Sequence, residues 1–447
     1  MPESRSGQIL SLGLPITAAM LSQSLLTLVD TAMVAALDDA SALAAVGLGG
    51  YASYFALALV LGLSVGVQTV VARNIGAGDS ETAFKALNSG LLMAVVGGLL
   101  LTVACYFGAP LLVYVSDDVR VGILATEYFG WRALGLTAIA INFTYRGYWT
   151  GIRQVKVFIR MVLLVQLANF GFSYCLIFGA FGFPQMGAPG SGLGTTLSVA
   201  LGTAGYTLLT RYSRHGELLF KALPDKSISR DILRLSVPNG LQQVFIAAGM
   251  LVYFALLARV SVAALAIGHA IINISLFIIL PGNGLGMAAT TLVSQALGRE
   301  QADDAHRWGW DTVKLTAVLM AVLGIPLWLF PASILGWFLP QDLVEPATLP
   351  LRITGISAVL QAVSMVLSQS LLGAGQARQV MVYSTAMQWC IGLPLAALVG
   401  IYLGYGLLGM WCVQLVERVA AATIYTILWQ RRNWAPTRRL QVATSNE

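Results

Sequence analysis

The chain has 447 residues, 57% of them apolar and only 10% charged, with a net charge of +6. A soluble domain carries about 25% charged residues, so this chain has too little charge for a water-facing surface, and a bilayer is the solvent its composition fits. Four cysteines without paired spacing (Cys105, Cys175, Cys390, Cys412) and three histidines (His215, His269, His306) exclude a disulfide framework, a zinc site and a metal-centred enzyme.

Apolar runs broken by charge or Gly/Pro clusters predict twelve membrane helices. In chain order they fall at 9–36, 42–72, 88–114, 122–145, 157–179, 190–212, 232–258, 262–297, 312–338, 350–372, 380–402 and 405–429. The first run is too long for a signal-peptide core and lacks a cleavage site. It carries Asp30 roughly 30 Å along the helix, in its outer half, with no basic partner nearby in sequence. An ionisable side chain there is costly and marks function by default; the plain alternative is a carboxylate facing the outer mouth. In helix 2, GLSVG (62–66) matches a hydrolase elbow, which needs a strand–turn–helix context; inside an apolar helix it reads as close packing. The longest polar segment, from about Ser213 to Arg234, splits the chain into halves at 1–212 and 232–447, joined by a linker at 213–231. Helix 7 offers only Val252 or Tyr253 opposite Asp30, and His269 of helix 8 reads as a packed neutral histidine. In helix 12, Glu417 and Arg418 are adjacent and so do not face each other. A structural ion pair to another helix is the simpler reading for them, and Glu417 is the second ionisable candidate.

With both termini cytoplasmic, 21 Lys and Arg residues fall inside and 4 outside, with Arg418 within the last span. That asymmetry orients the protein in the cell's inner (plasma) membrane and makes the basic balance topology, with no nucleic-acid partner. An internal repeat runs through the chain at a shift of about 222 residues. Gly62, Leu63, Thr69, Val71 and Gly76 recur as Gly284, Leu285, Thr291, Val293 and Gly298. Gly151 and Gln154 recur as Gly373 and Gln376, and Pro15 recurs as Pro238 one residue off that register. An even number of spans per repeat makes the halves parallel, as in transporters that rock two repeats about a central substrate.

The segments TLVDTAMVA (27–35), ALAAVGL (42–48), GVQTVVARNIGAGD (66–79), GHAIINISLFIILPGNGLGMAATTLVSQALG (268–298) and CIGLPLAALVG (390–400) resemble the MATE family of multidrug and toxic-compound extrusion antiporters. The resemblance implies an all-α polytopic fold of two parallel six-helix lobes with a central cleft. It also implies export of chemically varied, often cationic compounds against inward protons or sodium ions. It adds neighbours to Asp30: Asn169 and Ser173 in helix 5 and Thr195 in helix 6, oxygens able to ligate sodium or to surround a protonatable carboxyl. Read alone, those three are ordinary helix-packing polars. Pro15 matches a proposed bending point of helix 1. Met33, Tyr51, Tyr54, Phe55, Phe277 and Met287 are candidates to line a cleft for aromatic cations. The acids that NorM-like members carry in helices 7 and 10 are missing here, where Gln242, Gln243 and Gln376 stand, so a DinF-like, N-lobe mechanism fits better.

The expected function is therefore an ion-coupled exporter of drug-like small molecules, monomeric in the bilayer and using no cofactor beyond its coupling ion. A single carboxylate suffices for a proton, whereas sodium needs several strongly polar oxygens. A lipid or lipid-linked oligosaccharide flippase of the same superfamily is the alternative, disfavoured by the few basic residues within the spans. A membrane-embedded enzyme would need a clustered His, Asp or Ser set at one face, and the sequence presents none.

Overall fold

The computed structural model describes residues 4–213, 216–221 and 224–435. The positions expected for Arg214, His215, Arg438 and Arg439 lie outside that set. In chain order the helices are α1 Arg5–Ala35, α2 Ala40–Gly76, α3 Ser80–Gly108, the short α4 Leu111–Val115, α5 Val119–Leu134, α6 Leu136–Gly151, α7 Val155–Phe178 and α8 Ala188–Arg211. They continue with α9 Lys226–Val260, α10 Val262–Gly298, α11 Ala302–Leu329, the short α12 Pro331–Leu335, α13 Gln341–Gly373, α14 Ala377–Ala386, α15 Leu393–Ala397 and α16 Gly406–Gln430. Wider π-helical turns at Met387–Gly392 and Leu398–Tyr402 flank α15, making one continuous helical run from α14.

Short polar side chains set where several helices start. Asp39 accepts the amide hydrogens of Ser41 and Ala42 at 2.9 and 3.3 Å, Asp79 that of Thr82 at 2.8 Å, and Ser261 that of Ala264 at 2.9 Å. Each satisfies donors that the first helical turn leaves without partners. Asp225 does the same ahead of α9, accepting from Ser227 N at 2.6 Å and Ile228 N at 3.2 Å.

Among the described residues, ten helices are long and apolar enough to cross a membrane: α1, α2, α3, α7, α9, α10, α11, α13, the run from Ala377 to Tyr402, and α16. With its 37 residues α2 rises about 55 Å, well beyond roughly 30 Å of hydrocarbon. The other two ranges expected to span, 122–145 and 190–212, are helical but are not among the ten. The first is divided, because α5 ends and α6 begins at Gly135.

The chain forms two compact units. One comprises residues 19–241; the other comprises residues 1–18 together with 242–447. The halves read from sequence thus exchange the first turns of their leading helices, and repeated glycines show why. In the second unit the opening turns of α1 lie on α10: a Cβ at Gly13 would sit 2.5 Å from Leu285 Cδ2, and one at Gly284 would sit 2.8 Å from Gly13 O. In the first unit the opening turns of α9 lie on α2, where a Cβ at Gly62 would meet Ser236 and Gly240, and one at Gly240 would be 2.7 Å from Leu59 O. Bare backbone at these crossings lets membrane helices approach closely. The second unit also packs a large apolar core that includes Leu257, Ile271, Met320, Leu351 and Trp411. The Trp411 indole N–H donates to Thr354 Oγ1 at 3.1 Å, so the buried ring leaves no polar atom unmet.

Candidate functional site

Asp30 lies five residues before the end of α1, partly buried within the unit of residues 19–241. Asn169 of α7, 2% exposed, stands against it, and Thr195 of α8 stands behind Asn169. With its nitrogen turned to α1, the Asn169 amide donates to both Asp30 oxygens, at 3.0 and 3.1 Å, and its oxygen accepts from Thr195 Oγ1 at 3.1 Å. Thr195 Oγ1 also lies 3.0 Å from Ser191 O, one turn earlier in α8.

Ser173, fully buried one turn beyond Asn169, stands beside the carboxyl without a formed hydrogen bond. The three residues expected around Asp30 are thus brought together, as a set built from α1, α7 and α8. Two neighbours were not anticipated. The charge of Arg132, near the end of α5, reaches the carboxyl, while its Nη1 donates to Tyr128 OH at 2.7 Å. Two turns before Asp30, Ser22 Oγ donates to Gln166 Oε1, tying α1 to α7 again. Arg132 had a sequence signal in its repeat partner Arg352; Gln166 had none.

The remaining candidates are scattered. Met33 is packed in a small apolar cluster with Val34, Ala42, Ile177 and Ala188. Tyr51 and Tyr54 are half exposed and Phe55 is partly buried on α2. Phe277 and Met287 belong to the other unit, the first exposed and the second buried. Pro15 lies inside α1, where the ring removes a backbone donor. His269 stacks on Phe254 at 4.0 Å, as a packed histidine.

The ion pair expected for Glu417 and Arg418 is corrected. Among the described residues neither makes one; Arg418 Nη1 donates instead to Ser357 Oγ of α13. The side of α13 that meets α16 there offers a serine rather than an acid. No group of three or more His, Cys, Asp or Glu stands together among the described residues.

These features define a multi-pass membrane protein with a carboxyl–amide–hydroxyl set on three helices of one unit. The MatE family matches residues 15–175 and again 238–398, so both matches open at the paired prolines Pro15 and Pro238. The probable multidrug resistance protein NorM of Thermotoga maritima is 26% identical over 442 residues, covering 97% of this chain and 94% of its own. The protein of the same name from a Synechococcus species is 30% identical over 424 residues, covering 91% and 90%. A structure described as the outward-facing conformation of a multidrug resistance MATE family transporter of the MOP superfamily superposes with a TM-score of 0.89 at 21% identity, covering 98% of both chains. The chain belongs to the MatE family, as a multi-pass membrane transporter.

Proposed function

We propose that this protein is a secondary antiporter that exports cationic or amphipathic drug-like compounds in exchange for inward protons. The observation that carries the coupling is Asp30, a carboxyl within a membrane helix to which the Asn169 amide donates while accepting from Thr195. A proton taken up by Asp30 removes the charge that holds the Asn169 amide and loosens the bridge to Thr195. The signal thereby passes from α1 to α7 and α8 without an ion large enough to need a cage. Sodium is the weaker fit, because a cation site needs several strongly polar oxygens and the set supplies a single carboxylate, with the Asn169 amide oxygen already accepting from Thr195.

Bending of α1 at Pro15 would then rock the two six-helix lobes of a twelve-span fold, 1–212 and 232–447, and open the site outward. Placing the coupling carboxyl in the N-terminal lobe is the DinF-like arrangement. Support for exported drug-like substrates comes from the multidrug-resistance names of the relatives. The lysine and arginine asymmetry supports cytoplasmic termini in the inner membrane.

The test is transport into inverted membrane vesicles with a proton or a sodium gradient imposed separately and a fluorescent cationic dye as substrate. Accumulation that follows the proton gradient supports the proposal. Accumulation that follows only sodium overturns the proton assignment. Movement of a fluorescent lipid without any movement of the dye would reassign the protein as a lipid flippase.

A further inference from the structure

Glu417 is a second carboxyl within a membrane helix, and it lies entirely within the unit of residues 1–18 and 242–447. Among the described residues it makes no hydrogen bond and no ion pair. Arg418, its neighbour in sequence, is already engaged by Ser357, which is 1% exposed. Glu417 Oε2 instead packs on the backbone of Gly392, at the end of the π-helical turn Met387–Gly392, where a Cβ would come within 2.6 Å of it. The phenol of Tyr253 on α9 is 7% exposed, packs edge-on against Trp411, and its hydroxyl has no partner. Among the described residues, Arg418 is the charged side chain that acts on Glu417; α13 presents Ser357, and Cys390 of the π turn is exposed.

We propose that Glu417 is a second proton-exchanging site, separate from Asp30. An unpaired carboxylate in an apolar helix is costly unless it is neutralised. The charge of Arg418 acts on Glu417 and disfavours a further cation beside it, and one carboxyl is a poor cage for a metal ion. A proton needs neither space nor a cage. Widened π turns commonly occur at functional positions, and here one brings Gly392 against the carboxyl.

The role in transport rests on the antiport reading above; the protonation does not, and it is tested without transport. Infrared difference spectra of the purified full chain in lipid nanodiscs, titrated with pH, read the carbonyl stretch of protonated carboxyls. We expect a band that disappears reversibly as pH rises, persists in Asp30→Asn and is lost in Glu417→Gln. Should Glu417→Gln fail to fold, Glu417→Asp keeps the acid and is expected to shift the same band. A wild-type spectrum without such a band, or one unchanged by Glu417→Gln or Glu417→Asp, overturns the proposal. In proteoliposomes the ratio of protons to cationic dye should halve in Glu417→Gln. An unchanged ratio together with a lost band would leave Glu417 a proton site outside the transport cycle and overturn its coupling.

Discussion

The hydrogen-bond partner of Asp30 is an amide rather than a cation: Asn169 donates to both carboxyl oxygens, a contact strongest when the carboxyl is ionised. Replacing Asn169 with Ala removes a bond to a charged group, worth about 1.5–3 kcal/mol. We therefore expect Asn169→Ala to reach the membrane at normal levels but to export a cationic dye about tenfold or more slowly. Export at the wild-type rate would remove the amide from the mechanism. Asp30 was legible in the sequence because a charge in an apolar run stands out by itself. Asn169, Ser173 and Thr195 were legible only through family resemblance, since polar residues at those positions look like ordinary helix packing. Arg132 was read for topology and as the repeat partner of Arg352, and its reach to Asp30 depends on how α5 packs, which no local pattern encodes. The misread pair Glu417 and Arg418 has the same origin: two adjacent charges suggest partners on other helices, but only the fold shows that α13 offers a serine.

Asp39 and Ser261 cap helices within two residues of the starts expected at 42 and 262, whereas Asp79 starts α3 at Ser80, eight residues before the expected 88, because the cap and a polar first turn precede the apolar run. The break of the fourth span at Gly135 and the π turns around α15 had no such local signal, since both sit within unbroken apolar runs. The cap at Asp225 carries a pH dependence. The Ser227 hydroxyl, then the amides of Ile228 and Ser227, hold its carboxyl below the usual carboxylate range. Its stabilising contribution is therefore complete above the unfolded-state value of about 3.9 and is lost as pH falls through the lower folded value. Asp225→Ala should cost about 1 kcal/mol at neutral pH, read as a lower melting temperature in detergent. The difference from wild type should shrink in acid, and a gap that stays constant down to strongly acidic pH would contradict the cap. Glycine seats give a second test. A Cβ at Gly284 would meet Gly13 O and Thr17 N, both at 2.8 Å, whereas nothing lies within 4 Å of one at Gly47. Gly284→Val should destabilise by about 1–3 kcal/mol in the same assay, with Gly47→Val close to wild type. Equal effects at both sites would remove the close α1–α10 crossing.

At the scale of the whole molecule, the repeat was legible as a common register of weak matches, and the family matches it twice. What the register did not reveal is the exchange of leading turns, because Gly62 and Gly284 read as repeated small residues without showing which helix they seat. The charge asymmetry predicts that the linker between α8 and α9 lies in the cytoplasm. A single cysteine placed at Lys226 in a cysteine-free background should be labelled from the inside only, and labelling from outside would invert the orientation. The central claim, proton antiport through Asp30, is tested most directly by reconstituting wild type and Asp30→Asn side by side. With a pH gradient imposed and a fluorescent cationic dye as substrate, wild type should drive dye movement. Asp30→Asn, folded and inserted to the same level, should fall to the protein-free background. Full dye movement by the Asn variant would contradict the account.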